Sequence, residues 1–243
     1  SGTMEVTVQE PVDESTLELQ VVPNLFNQEF IDVYVLARRG IAGTPNVVRT
    51  FEGADSTVAV RQIEEDLEGR RVLVWSGNVQ LRPGASGTIF FTAQALTSLG
   101  TPVGDTASVT VLTTVAAKEA TIDYAGVQLQ LGADAVPEGT RIVLQVDGER
   151  ESAAAKRDAE SELRMKTRIN IYPLGMKLRE RSNIRLPAGP STEGLYQQFD
   201  GVWTYLGGRE ERVPIGWLGR YAVLDDVIPP SVAVHSLPGG NTR

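Results

Sequence analysis

A single histidine, His235, stands in the 243 residues, and there is no cysteine. A Ser-His-Asp triad needs an imidazole held between a nucleophile and a carboxylate. His235 lies in the C-terminal tail, a poor place for such a residue. A catalytic zinc takes three protein ligands, mainly histidine, and one histidine does not supply them. The absence of cysteine excludes thiol catalysis, thiolate metal sites and a disulfide framework. Carboxylates remain. Glu64-Glu65-Asp66 is the densest acidic run and could in principle serve a glycosidase. It precedes Leu67-Glu68-Gly69, however, and reads as a solvated turn. Gly207-Gly208 and Gly239-Gly240 lack the following Lys-Ser/Thr and helix of a phosphate loop. The expectation is a protein that is not an enzyme.

Two groups of residues could bind rather than react. Trp203, Tyr205, Trp217 and Tyr221 fall close together near the end of the chain. Residues two apart on a strand share a face, so Trp203 and Tyr205 point the same way. An exposed face of this kind stacks on sugar rings or anchors a protein partner, whereas a buried one is core, the reading favoured here. Asp225 and Asp226 sit at an expected domain junction, where oxygen ligands could hold calcium and stiffen a hinge. A solvated acidic turn is the simpler reading. Arg38-Arg39, Arg70-Arg71 and the arginines of 209–212 are isolated clusters beside turns.

The net charge is −8 with a sequence pI of about 4.9. Nucleic-acid binding needs clustered Lys and Arg, so no nucleic acid is expected as partner. An acidic chain is also repelled by an anionic membrane surface. No run approaches the roughly 18 apolar residues of a membrane span. Ser1-Gly2-Thr3 ahead of Met4 reads as a cloning remnant, and the chain as a piece of a longer protein.

The elements that position these residues are strands. Leu17, Leu19 and Val21 alternate with polar residues, and runs at 30–36, 46–49, 57–61, 71–75, 79–81, 88–93 and 107–112 follow. Between them lie Pro23-Asn24, Gly40 to Pro45, Glu52-Gly53-Ala54-Asp55, Pro83-Gly84 and Gly100 to Asp105, all turn formers. About seven strands in ~100 residues with regular turns is the pattern of an immunoglobulin-like sandwich, with Trp75 as a core aromatic. Residues 1–15 read as a polar leader or linker, and 16–114 as the first domain. A second sandwich spans 115–228, with strands at 126–131, 140–146, 169–173, 183–187, 195–199, 201–208 and 219–224. Its charged interruption near 147–166 is either a short solvated helix or a mobile loop. The loop is favoured, because ~12 isolated residues are marginal as a helix. Residues 229–243, opening with Pro229-Pro230, read as a hinge and the start of a further segment. The fold class is thus all-β, two consecutive sandwich domains.

Gly126, Leu129, Leu131, Ala135, Thr140, Ile142 and Leu144, with Ile171-Tyr172-Pro173, carry a family likeness. It continues through Gly201-Val202-Trp203, Leu206-Gly207, the run from Gly219 to Asp226, and Pro229-Pro230. On these residues the second half resembles the extracytoplasmic β-domains of bacterial surface and secreted proteins. It is distantly similar to the sandwich domain shared by ankyrins and netrin receptors. The first half resembles the immunoglobulin-like repeats that precede such domains, through Asn24 and the run from Phe30 to Val35. The resemblance implies a spacer, stalk or adaptor of a secreted or cell-surface protein, with no catalytic residues and no cofactor. Its partners would be neighbouring domains of the parent chain, and possible ones are a surface protein or a polysaccharide. The alternative is a carbohydrate-binding or substrate-docking accessory module of a secreted hydrolase.

Overall fold

A computed structural model describes residues 16–37, 40–67, 70–147, 163–209 and 212–226, and none of these is helical. The first half holds β1 (Leu17–Pro23), β2 (Phe30–Ala37), β3 (Ile41–Phe51), β4 (Ala54–Thr57), β5 (Arg61–Leu67), β6 (Arg70–Gln80), β7 (Gly87–Thr97) and β8 (Pro102–Thr113). The second holds β9 (Ala120–Tyr124), β10 (Val127–Leu131), β11 (Arg141–Asp147), β12 (Leu163–Tyr172), β13 (Lys177–Arg185), β14 (Glu193–Phe199), β15 (Val202–Gly208), β16 (Arg212–Trp217) and β17 (Arg220–Asp226).

Alternation of side chains sets the first core. Leu19 pairs with Val35 and Val21 with Val33, so all four project from one face of the β1–β2 ribbon. They are buried together with Trp75, Ile89, Phe91, Val109 and Val111. The second core takes Leu129, Leu131, Ile142, Leu144, Ile169, Ile171, Ile184 and Tyr221. Tight hairpins close on Glu52-Gly53, Ala125-Gly126 and Asp200-Gly201, in each of which both residues have positive φ. That is the two-residue turn whose twist matches the flanking strands, and glycine in second place makes it cheap.

Three sheets result. Strands β1-β2-β6-β5 form one four-stranded sheet and β16-β13-β10-β9 another. The third runs β15-β14-β17-β12-β11-β8-β7-β3-β4, nine strands that belong to both halves. Its seam is the antiparallel pairing of β8 with β11, where Arg141, Ile142, Val143 and Leu144 face Thr113, Leu112, Val111 and Thr110. The two smaller sheets lie on opposite faces of the large one. Val143 belongs to the first core, whereas its neighbours Ile142 and Leu144 belong to the second. Successive residues on a strand point to opposite faces, so β11 is buried on both. Arg141, on the same face as Val143, reaches back into the first half. Its Nη1 donates to Gln28 O at 2.8 Å and its Nη2 to Arg82 O at 3.2 Å.

The expected boundary between residues 114 and 115 falls in the connection from β8 to β9, yet one hydrogen-bonded sheet continues across it. Of the expected turn at Gly40–Pro45, residues 41–45 are instead part of β3, which keeps its course through an irregularity between Ala42 and Asn46 with Gly43 at φ 76°. Residues 57–61 are not one strand. Val58 to Val60 carry the chain from the nine-stranded sheet to the four-stranded one, pressed so closely on β6 that a Cβ at Gly77 would lie 2.4 Å from Ala59 O. Glu64-Glu65-Asp66 is strand β5, not a turn. Within the interruption near 147–166, Asp147 ends β11 and Leu163 to Lys166 open β12. Residues 148–162, the leader 1–15 and the segment 229–243 lie outside the described residues.

Trimming Val143 to alanine removes two buried methyl groups from the first core, at a cost of about 2 kcal/mol. Because β11 is shared, the urea midpoints of β2 and β13, read by pulsed hydrogen exchange, fall together. A fall confined to β2 contradicts the shared sheet.

Candidate functional site

Trp203 and Tyr205 lie on β15, an edge strand of the nine-stranded sheet, and pair with Gln198 and Tyr196 of β14. A register shift between Leu195 and Tyr196 leaves Leu206 as the extra residue, and this keeps Tyr205 beside Tyr196. Their rings meet edge to face, centroids 5.3 Å apart at 66°. Tyr205 lies over Gly194, where a Cβ would come within 2.5 Å of the ring. Trp203 is half-buried and packs against Tyr196, Ala222 and Leu224. Tyr205 is 58% exposed and is the open member of the group.

The other two aromatics go elsewhere. Tyr221 is fully buried in the second core, and its hydroxyl donates to Trp217 O at 2.5 Å. It is therefore removed from the candidate binding surface. Burial pushes its phenol far above the usual value. Trp217 ends β16 in a different sheet, with Lys177 Nζ 5.8 Å from its ring centroid, a cation–π contact. Trp217 and Trp203 thus sit on different sheets.

Asp225 and Asp226 are the last residues of β17, and Asp225 is flanked in the ladder by Arg164 and Glu193. Glu193 is engaged by Arg209, Nε to Oε2 at 2.7 Å, a close ion contact rather than an aligned hydrogen bond. Among the described residues, no three His, Cys, Asp or Glu side chains gather as a metal site. Calcium takes six to eight oxygens, so holding it at Asp225 and Asp226 would call on ligands beyond these residues.

The sequence reading missed a second surface. The four-stranded sheet of the first half stops at β1, which pairs with β2 alone among the described strands. Between β1 and the face of β11 and β12 runs a groove of about 320 Å³, lined by Glu18 to Val22, Gln145, Asp147, Asn170 and Tyr172, among others. Gln145 and Asn170 pair with each other across the two strands and are 9% and 8% exposed. Gln145 Oε1 is buried without a hydrogen-bond partner among the described residues. The Tyr172 hydroxyl is raised by burial, with Arg220 and Arg168 opposing and Asp147 adding to the effect. The available signal was the run Ile142-Val143-Leu144. Loss of alternation there marks a strand covered on both faces.

No family model, characterised protein or solved structure matches this chain. Among the described residues, no helix is long and apolar enough to cross a membrane.

The raised phenol has a consequence for stability. Tyr221 keeps its proton in the folded state at pH values where the unfolded chain, titrating near the usual tyrosine value of about 10, loses it. The unfolded state then binds fewer protons, so stability falls as pH rises above about 10. Tyr221→Phe removes this dependence, and melting curves from pH 9 to 11.5 show a shallower alkaline decline than in the parent. Parallel declines contradict the assignment.

Proposed function

We propose that this chain is a non-catalytic structural module, a rigid spacer or adaptor within a larger secreted or cell-surface protein of bacterial type. The observation that carries the reading is the β8–β11 seam. Two sandwiches joined by a linker alone swing about it. Here the joint is a ladder of backbone hydrogen bonds, with Val143 of β11 buried in the first core and Arg141 bonded to two loop carbonyls. Eight inter-strand spacings of roughly 4.8 Å give the sheet a reach of about 38 Å.

The strand order supports an immunoglobulin-like reading of the first half. β1-β2-β6-β5 facing β8-β7-β3-β4 corresponds to an A-B-E-D sheet facing G-F-C with one added strand. A carbohydrate-binding accessory module is the second reading, and the exposure of Tyr205 beside Trp203 is what favours it. The patch offers one largely open ring, with Tyr196 buried and Trp203 half-buried, which ranks it below the spacer.

The cysteine-free chain allows clean spin labelling. With Thr57→Cys on β4 and Thr204→Cys on β15, electron–electron double resonance gives one narrow distance distribution across the sheet. A broad or bimodal distribution overturns the spacer reading. Retention on an insoluble polysaccharide that Tyr205→Ala abolishes would promote the accessory module.

A further inference from the structure

We propose that one face of the nine-stranded sheet, across β12, β17, β14 and β15, binds an acidic polysaccharide, a linear sugar chain bearing carboxylates. This goes beyond the spacer reading, holds with or without it, and gives the sugar-binding alternative a ligand class and a wider site. The ladders set one row of side chains across the four strands. Asn170 of β12 faces Arg220 of β17, Arg220 faces Gln198 of β14, and Gln198 faces Trp203 of β15. Residues directly opposite in an antiparallel ladder project from one face, so these four do. The next row runs Arg168, Ala222, Tyr196 and Tyr205. Three inter-strand spacings make each row about 14 Å long, room for about three pyranose rings.

Charge selects the sugar. Arg168 and Arg220 are both exposed, and neither guanidinium has an ion pair or a hydrogen bond among the described residues. They are diagonal neighbours in the ladder, about 7 Å apart, where like charges repel and an anion between them is favoured. Both act on the Tyr172 hydroxyl against the effect of its burial, which gathers them at the seam end of the rows. Asp147, opposite Arg168 in the ladder, is half-buried and engaged by Gln145 Nε2 at 3.4 Å. Glu18, on the facing wall of β1, accepts from Gln20. On the face itself one carboxylate thus meets two guanidiniums, a local positive excess in a chain of net charge −8. A guanidinium takes a carboxylate through two parallel hydrogen bonds. At the far end Tyr205 is 58% exposed and Trp203 half-buried, rings on which the apolar side of a sugar stacks. Gln198, half-buried between the two ends, offers both a donor and an acceptor to sugar hydroxyls. An acidic peptide matches the arginines but not the flat ring-and-amide surface beside them.

The test titrates the whole 243-residue chain, ¹⁵N-labelled, with tetragalacturonate at low salt. Expected are saturable shifts at the Trp203 indole N–H and the Gln198 side-chain amide, and an affinity that falls as salt is raised. The carboxyl-reduced tetrasaccharide should bind about tenfold more weakly, because it loses the charge-assisted bonds. Arg220→Gln and Tyr205→Ala should each weaken binding about tenfold. Arg220 is exposed and unpaired among the described residues, so its variant keeps the unfolding midpoint and serves if Tyr205→Ala fails to fold. No shift at these groups up to millimolar ligand overturns the proposal. So does equal binding of the carboxyl-reduced chain, or of hexaglutamate, which would make the face an anion patch without sugar recognition. Binding indifferent to both substitutions overturns it as well. The spin-label distance across the sheet is independent of these outcomes, so the spacer reading fails or holds separately.

Discussion

Everything in this molecule turns on the pairing of β8 with β11. Neither strand is an edge, because each continues the sheet of its own half, and their ladder turns two four- or five-stranded layers into one of nine. Such a ladder satisfies backbone groups that would otherwise need water, and an open seam would leave them exposed inside the joint. It also fixes the two halves in register, Ile142 against Leu112 and Val143 against Val111. A flexible tether has no such register.

The partition of side chains along β11 follows from that pairing. With sheets on both faces, one strand must serve two cores, and its residues do so in turn: Ile142 to the second, Val143 to the first, Leu144 to the second. Arg141 completes the pattern on the first-half side, its guanidinium bonded to Gln28 and Arg82 carbonyls. The small sheets are offset to opposite sides, so among the described residues each leaves part of the large sheet uncovered. Over the second half, that uncovered region carries Gln145 and Asn170 near the seam and Trp203 with Tyr205 at the far edge. The architecture thus creates both the groove beside β1 and the aromatic pair on β15.

Much of the fold was legible in the sequence, for identifiable reasons. Leu17, Leu19 and Val21 alternate because β1 has one buried face. Gly53 announces its turn, whereas Gly126 and Gly201, which close hairpins, read in the sequence as the first residues of strands. What escaped were edge strands. β16 carries Pro214 and Gly216, tolerable only where one side of the strand needs no partner. β5 carries Glu64-Glu65-Asp66, charges that suit an edge and disguise it as a turn. Of the aromatics, the two on β15 were readable as a pair from their spacing. Tyr221 and Trp217 were not separable from them, because β16 was unseen and burial depends on which sheet each strand joins. The run Ile142-Val143-Leu144 signals a strand covered on both faces, but not the groove beside β1. That groove exists only because a strand from residue 17 onward stands over one from residue 141 onward, a relation set by topology rather than by local pattern.

Native-state hydrogen exchange across the seam tests the account most directly. If β8 and β11 are structurally continuous, the ladder amides of Arg141 to Leu144 and Thr110 to Thr113 exchange only through global unfolding. Their protection then matches the most protected amides of β2 and β13. Faster exchange at the seam, with both cores still closed, would mean the halves part and rejoin on their own, and the single-sheet account would be wrong.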